Sequence, residues 1–177
     1  MLPPLTVVIG GARSGKSRLA ESLVAATARP RTYIATAQAW DDEMRARINA
    51  HRDGRDGWRT VEEPHDLPAA LAALPADGVA LVDCATLWLT NRMLADADLP
   101  AEETALLAAL ATAPCPVVVV TNEVGLSIVP DNALARAFRD AQGRLNQRMA
   151  AQAGLVVAVW AGLPLPLKGR LPDGFAA

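Results

Sequence analysis

Short apolar segments rich in β-branched residues alternate along the chain with longer segments whose apolar positions recur at helical spacing. The apolar segments predict strands at residues 5–9, 32–36, 79–83, 117–121 and 155–160, with residues 59–62 as a candidate edge strand. Such nearly uninterrupted runs are typical of parallel strands buried on both faces. Helices are predicted between them, at residues 16–28, 41–52, 66–74, 84–96, 101–113 and 131–152. The alternation predicts an open, mostly parallel α/β sheet with helices on both faces and ligands at the carboxyl ends of its strands.

Composition limits the classes of protein to which the chain can belong. Its 177 residues are 51% hydrophobic and 20% charged, which excludes a disordered chain and predicts a single domain over residues 1–177. The formal net charge of −2 provides no general attraction for nucleic acid, so no nucleic-acid partner is expected. Residues 104–121 are uncharged, but Pro114 and Pro116 interrupt them, which favours a helix, a turn and a strand over a membrane span. Cys84 and Cys115 lie in apolar surroundings and are predicted to be core thiols of a cytoplasmic protein.

A phosphate-binding loop is predicted directly after the first strand. The sequence there matches G-x-x-x-x-G-K-[ST] and passes into an amphipathic helix, which is the context that this motif requires. Its glycines allow successive N–H groups to face phosphate oxygens at the positive end of the helix. Lys16 is expected to reach the β and γ phosphates, and the Ser17 hydroxyl to bind Mg²⁺. The predicted nucleotide-binding residues are Gly10, Gly11, Ala12, Arg13, Ser14, Gly15, Lys16 and Ser17.

A second ligand for Mg²⁺ is expected at the end of another apolar strand. Asp83 ends the predicted strand at 79–83 and fits this description. The same residue can instead cap the helix that begins near Ala85, and the local sequence supports both interpretations equally. Signalling GTPases are disfavoured, because the sequence lacks the guanine-reading Asn-Lys-x-Asp motif and has Thr121-Asn122-Glu123-Val124 after the corresponding strand.

A basic segment around His51 is the other chemically informative region. Five of the chain's 17 basic residues fall within 15 positions there, which indicates a polyphosphate or a phosphorylated substrate: Arg45, Arg47, Arg52, Arg55 and Arg59. A neutral imidazole is a competent nucleophile toward phosphorus, and the guanidinium groups would neutralise charge on the leaving pyrophosphate. A single histidine on a helix is also often structural, and the residues alone leave both roles of His51 open. His65 follows a proline and is predicted to be a loop or capping residue.

These segments together resemble a known family, the bifunctional adenosylcobinamide kinase and adenosylcobinamide-phosphate guanylyltransferase of coenzyme B12 biosynthesis. The histidine segment, TNEVG and NQRMA are specific to that family, whereas the phosphate loop alone is generic. The resemblance covers nearly the whole chain and rests on GGARSGKSRLAE at 10–21, YIATAQAWDDEMRARINAHRDGR at 33–55, WRTVEE at 58–63, LVDCATLWLTN at 81–91 and VVTNEVGLSIVPDNALARAFRDAQGRLNQRMA at 119–150.

The resemblance implies a RecA-like P-loop NTPase domain with two activities. In the first, a nucleoside triphosphate phosphorylates adenosylcobinamide. In the second, GTP guanylylates His51, and the GMP passes to adenosylcobinamide phosphate to give adenosylcobinamide-GDP. The cofactor implied is Mg²⁺, the substrates are GTP and ATP, and the assembly is a homotrimer. Beyond the phosphate loop, the implied nucleotide contacts are Ala35, Thr36, Ala37, Arg52, Asp53, Gly54, Arg55, Glu62 and Asp83.

Two positions depart from the pattern of some relatives. Those relatives have two adjacent histidines where this chain has Ala50-His51, and Glu where it has Asp83.

Two other functions are alternatives to the bifunctional enzyme. A monofunctional P-loop kinase of a small metabolite needs the loop and the acidic residue but gives His51 no covalent role. A nucleotide-binding switch or assembly module predicts turnover that does not depend on any corrinoid.

Overall fold

A computed structural model of the chain describes residues 1–38 and 57–175. Among these residues, seven strands form one sheet in the order β3-β2-β4-β5-β1-β6-β7. The strands are β1 (Leu5–Gly10), β2 (Arg31–Ala35), β3 (Trp58–Glu62), β4 (Val79–Asp83), β5 (Val117–Asn122), β6 (Leu155–Trp160) and β7 (Leu163–Lys168). All neighbouring strands are parallel except β7, which is antiparallel to β6. The described helices are α1 (Lys16–Ala25), α2 (Leu67–Ala72), α3 (Ala85–Leu94), α4 (Leu99–Thr112) and α5 (Ala133–Gln152). The predicted helix at 41–52 lies outside the described residues.

The sheet is covered on both faces, as its apolar strands predict. Alternate side chains of each strand point to opposite faces. On one face, Val118 and Val120 of β5 belong to an apolar cluster that includes Leu23 and Val24 of α1. On the other face, residues of the same strands pack against α2 to α5, with the fully buried Trp88 among them. Helix α1, which follows the phosphate loop, therefore lies on one face of the sheet, whereas α2 to α5 pack on the opposite face.

The uncharged segment at 104–121 has the predicted structure. Helix α4 ends at Thr112, Pro114 and Pro116 lie in the connection, and β5 begins at Val117. Each proline is incompatible with a continuous helix, because it lacks an N–H and clashes with the preceding turn. No helix in residues 1–38 and 57–175 is both long enough and apolar enough to cross a membrane.

The candidate strand at 59–62 is confirmed as β3, at one edge of the sheet, but β7 at the other edge was not predicted. Its sequence, LPLPLK, contains two prolines and presents Leu163, Leu165 and Leu167 largely to solvent. Proline donates no hydrogen bond, so it is tolerated on an edge strand, where one side of the backbone needs no partner. A strand of this kind shows no uninterrupted apolar run, which is the signal that identified the central strands.

Candidate nucleotide site

The predicted phosphate loop connects the carboxyl end of β1 to the first residue of α1. Two of its residues adopt left-handed backbone, Arg13 with φ of 56° and Gly15 with φ of 95°. The Ser14 N–H donates to the Gly11 carbonyl at 3.3 Å, and the Ser14 carbonyl accepts from Gly162 N–H at 2.9 Å. The loop thus curls over the end of β1 and is anchored to the turn between β6 and β7.

Lys16 is the first residue of α1 and its side chain bends back over this loop. Its Nζ donates to the Gly11 carbonyl at 3.1 Å. A helix N-terminus carries partial positive charge and N–H groups without intrahelical partners, so the lysine adds a full charge where the backbone already favours an anion. Gly15 precedes it as the N-cap, with no side chain to occupy the space in front of the helix. These features suit a polyphosphate.

Asp83 is placed at the carboxyl end of β4, two strands away from β1 with β5 between them. It shares a face of the sheet with Val79 and Leu81, which belong to the cluster formed with α1. The Tyr33 hydroxyl donates to its Oδ2 at 3.0 Å. The helix cap predicted as the alternative role is instead Cys84, whose Sγ accepts from the Leu87 N–H at 3.4 Å. Asp83 is therefore not needed as a cap, and its carboxylate faces the side of the sheet that carries α1.

The donor set fits Mg²⁺. Ser17 in the first turn of α1 supplies a hydroxyl oxygen, and Asp83 supplies a carboxylate on the same face of the sheet. Mg²⁺ is commonly held by one or two protein oxygens together with substrate phosphates and water, rather than by a complete protein cage. Residues 1–38 and 57–175 contain no group of three or more His, Cys, Asp and Glu side chains that could hold a metal.

Cys84, which caps α3, is a free and buried thiol. Burial raises its pKa to about 12, and the neighbouring Asp83 charge adds to the rise, whereas the Lys16 charge lowers it. Cys115 is also a free, buried cysteine, as predicted, and burial raises its pKa as well.

The implied contacts at the end of β2 lie beside Asp83. The register places Ala35 opposite Asp83 on one side and opposite Glu62 of β3 on the other, so these three residues form a row at the carboxyl edge. Thr36 is fully buried, and its hydroxyl donates to the Cys84 carbonyl at 2.7 Å and accepts from the Cys84 N–H at 2.8 Å. The Thr36 hydroxyl thus joins the ends of β2 and β4, while Ala37 continues the chain from this edge.

The remaining predicted site residues lie in the segment that contains His51. His51, with Arg52, Asp53, Gly54 and Arg55, lies outside the described residues, as do Arg45 and Arg47. His65 is described, and it is a loop residue as predicted. Its Nε2 lies 2.6 Å from Gln38 Nε2, and its carbonyl accepts from Trp88 Nε1 at 2.9 Å.

A buried polar network at the end of β5 was missed by the sequence analysis. Thr121 Oγ1 donates to Asn146 Oδ1 at 2.8 Å and accepts from Gln142 Nε2 at 3.0 Å. Thr86 Oγ1 lies 3.4 Å from the same threonine oxygen. The network surrounds Asn122, the last residue of β5, whose backbone lies in register with Gly10 of the phosphate loop. The only sequence signal was the abrupt change from four valines to Thr121-Asn122.

Comparison with known proteins identifies the family. The family model described as cobinamide kinase / cobinamide phosphate guanyltransferase matches residues 6–167. The chain belongs to this family. Membership of the cobinamide kinase / cobinamide phosphate guanyltransferase family confirms the expectation of a bifunctional enzyme, a kinase and guanylyltransferase.

Curated relatives of the family match along almost their whole length. The chain is 48% identical over 168 residues to the bifunctional adenosylcobalamin biosynthesis protein CobP of Pseudomonas aeruginosa, covering 93% of this chain and 97% of the relative. It is 45% identical over 181 aligned positions to the bifunctional adenosylcobalamin biosynthesis protein CobU of Salmonella typhimurium, covering 93% and 99%.

Solved structures support the fold at lower sequence identity. The RadB recombinase superposes with a TM-score of 0.54 at 16% identity, over 98% of this chain and 85% of that chain. A Pyrococcus horikoshii protein, Project ID PH0250, gives a TM-score of 0.54 at 10% identity, over 97% and 89%. The likeness to a recombinase confirms the expected RecA-like P-loop fold of this family member.

Proposed function

We propose that this enzyme phosphorylates adenosylcobinamide with a nucleoside triphosphate and then transfers GMP from GTP to adenosylcobinamide phosphate through His51. The observation that carries the proposal is the meeting of the phosphate loop, Lys16, Ser17 and Asp83 at one edge of the sheet, in a chain of the cobinamide kinase / cobinamide phosphate guanyltransferase family.

For the kinase reaction, the loop amides and Lys16 hold the β and γ phosphates at the N-terminus of α1. The substrate hydroxyl oxygen attacks the γ-phosphorus and its proton is released to solvent, while the bond to the bridging oxygen breaks and the nucleoside diphosphate leaves with both electrons of that bond. Bound Mg²⁺ would neutralise charge on the phosphates, and Ser17 and Asp83 are the residues that would hold it. The protein contributes positioning and fixed positive charge, which account for most of the catalysis in phosphoryl transfer.

For the guanylyl reaction, the lone pair of a neutral His51 nitrogen attacks the α-phosphorus of GTP. The phosphorus–oxygen bond to the β phosphate breaks, and pyrophosphate leaves with both electrons of that bond. A phosphate oxygen of adenosylcobinamide phosphate then attacks the same phosphorus and displaces the histidine nitrogen. The covalent step divides the transfer into two displacements. Arg52 and Arg55, beside His51 in the sequence, supply positive charge for the leaving pyrophosphate.

The proposal is tested by incubating the enzyme with α-labelled GTP and Mg²⁺ and measuring intact mass. We expect one GMP adduct on the wild type, discharged by adenosylcobinamide phosphate, and none on His51→Ala. His65→Ala is the matched control, because His65 is the chain's other histidine and should leave labelling unchanged. Covalent labelling of His51→Ala would overturn the assignment of the nucleophile.

The same measurement separates the alternatives. A monofunctional kinase would transfer the γ-phosphate to its acceptor and leave no GMP on the protein. A switch or assembly module would hydrolyse nucleotide at a rate that no corrinoid changes. The homotrimer implied by the resemblance and the cytoplasmic location predicted from the cysteines both stay predictions. Light scattering coupled to size-exclusion chromatography measures the first of them.

A further inference from the structure

Tyr33 brings a hydroxyl group into an otherwise apolar part of the sheet. Its side chain is only 4% exposed and belongs to the cluster on the α1 face, with Leu23 of α1 and Leu81 of β4. A phenylalanine would fill the same space and bury the same ring without a polar group that needs a partner. The hydroxyl donates to Asp83 Oδ2 at 3.0 Å. The choice of tyrosine at this position is therefore explained by Asp83.

The strand register accounts for this hydrogen bond. Tyr33 of β2 lies opposite Leu81 of β4, and Asp83 is two residues farther along β4 on the same face. Two residues of a strand span about 6–7 Å, which is close to the length of a tyrosine side chain. The ring therefore lies along the sheet toward the carboxyl edge, and its hydroxyl reaches the residue at the end of the neighbouring strand.

The ring of Tyr33 is supported from the side away from β4. Trp58 of β3 contacts it edge-on, with ring centroids 6.1 Å apart and an interplanar angle of 79°. Trp58 is covered in turn by the Arg31 guanidinium, whose Cζ lies 5.4 Å from the centroid of the indole ring. Edge-to-face aromatic pairs and a cation over an indole are both favourable arrangements. These contacts fix the ring, so the hydroxyl is in place before any ligand binds.

The hydrogen bond limits how the Asp83 carboxylate can turn. The last torsion of an aspartate side chain is broad, so a carboxylate without a fixed partner samples many orientations. Tyr33 engages Oδ2 and leaves Oδ1 for another ligand. Asp83 is only half-buried, so water can satisfy its charge without help from Tyr33. The bond therefore orients the carboxylate rather than only compensating it for burial.

We infer that Tyr33 is a positioning residue, whose hydroxyl holds Asp83 Oδ2 so that Oδ1 is ready to bind the Mg²⁺ that accompanies the nucleotide. The inference rests on the proposed function, because it requires nucleotide in the phosphate loop and Asp83 as a metal ligand. Side chains that hydrogen-bond a metal ligand in this way orient it, and their loss typically weakens metal binding about 10–100-fold. A hydroxyl suits this role because, unlike an arginine, it orients the carboxylate without neutralising it.

The test separates metal binding from nucleotide binding. Isothermal titration of β,γ-imido-GTP, once with excess Mg²⁺ and once with EDTA, gives two dissociation constants, and their ratio measures what the metal adds. For Tyr33→Phe, we expect this ratio to fall about tenfold, with the constant in EDTA little changed. The melting temperature without ligand should fall by no more than about 6 °C, as for the loss of one hydrogen bond in a chain of this length.

A double-mutant cycle shows whether Tyr33 acts through Asp83. Asp83→Asn should itself lower the ratio, and adding Tyr33→Phe to it should lower the ratio no further, because the ligand that the hydroxyl orients is already lost. If Tyr33 only packs, its loss changes both constants by the same factor in either background. Thr27→Val is the matched control, since it removes a hydroxyl that donates to the Val24 carbonyl at 2.8 Å, beyond the far end of α1 from Lys16. It should leave the ratio unchanged.

A second measurement needs no substitution of Tyr33 and stays decisive if Tyr33→Phe does not fold. Tyr33 is the chain's single tyrosine, so protein labelled with 3-fluorotyrosine has one ¹⁹F resonance. We expect this resonance to move when Mg²⁺ is added to the complex with β,γ-imido-GTP, because the metal draws charge from the carboxylate that accepts the hydrogen bond. Asp83→Asn should abolish the movement. A resonance that Mg²⁺ does not move in the wild type would overturn the inference.

The outcomes separate the two proposals. If Mg²⁺ strengthens nucleotide binding to the wild type and Tyr33→Phe keeps the ratio, the inference about Tyr33 is wrong while the proposed function stands. A fall in melting temperature without a change in the ratio has the same meaning. If the wild type does not bind the nucleotide under either condition, the phosphate loop is not the nucleotide site, and both proposals fail together.

Discussion

Gly10 and Gly11 begin the phosphate loop, and the surroundings of the two glycines differ sharply. A Cβ added at Gly10 would lie 2.6 Å from Ser14 Oγ and 2.7 Å from the Val159 carbonyl oxygen. A Cβ added at Gly11 would have no atom within 4 Å. Neither glycine has a φ in the left-handed region, so the contrast is purely one of space. Comparing Gly10→Ala with Gly11→Ala therefore tests whether position 10 must be glycine because Ser14 and the Val159 carbonyl leave no space for a side chain there.

The magnitude follows from which atoms can move. Ser14 can turn its hydroxyl away, but the Val159 carbonyl belongs to β6, which pairs with β1 at this position and with β7 on its other side. Relieving the contact moves the sheet or the loop by roughly half an ångström, and such overpacking typically costs about 1–3 kcal/mol. In a chain of this length, that corresponds to a melting temperature about 2–12 °C lower. Gly11→Ala should change the free energy of unfolding by no more than about 0.5 kcal/mol.

The assay is thermal unfolding followed by circular dichroism, with and without GTP and Mg²⁺, accompanied by calorimetric titration of nucleotide. We expect Gly10→Ala to melt lower and to bind nucleotide about tenfold more weakly or worse, because displacement of the loop misplaces its amides. Gly11→Ala should retain most of the stability and the binding of the wild type. Equal losses in the two variants, or a Gly10→Ala protein as stable as the wild type, would refute the steric explanation.

Three further predictions concern single side chains. Lys16→Ala should abolish nucleotide binding and with it both activities, and normal turnover would remove the phosphate loop from the mechanism. Arg148→Met leaves the Glu103 carboxylate, whose side chain is only 6% exposed, without its partner at 2.9 Å. Urea denaturation at pH 7 should show a loss of about 1–3 kcal/mol, and unchanged stability would show that the pair contributes nothing. Native protein should not react with Ellman's reagent at pH 8, because burial raises the pKa of Cys84 and Cys115, whereas two thiols should react in guanidinium. A fast-reacting thiol in the native protein would contradict their burial.

The sequence was sufficient for the central strands and for the phosphate loop. Strands such as β1 and β5 are buried on both faces, so each residue must be apolar, and that requirement is visible without knowledge of the neighbouring strands. The phosphate loop is equally local. Its function depends on the backbone of eight consecutive residues, 10–17, so the pattern of residue types is sufficient to predict it.

Local sequence was insufficient where a residue's role depends on a distant partner. Asp83 fitted a helix cap and a metal ligand equally well until the structure showed that Cys84 caps α3. The nucleotide contact that the resemblance implies for Thr36 stays a prediction, and only the structure shows that its buried hydroxyl binds the backbone of Cys84, 48 positions away. Strand β7 exists because β6 provides a partner, and its own prolines and exposed leucines give no sign of it.

By itself, the sequence determined the class of fold, the phosphate loop and, through its resemblance, the family. Only the tertiary structure decided which strand ends lie side by side. It placed Asn122 between Gly10 and the strand that ends in Asp83, with a buried Oδ1 that has no hydrogen-bond partner among residues 1–38 and 57–175. The physical reason is that propensities and short motifs act over a few residues, whereas the order of the strands is a property of how the whole chain packs.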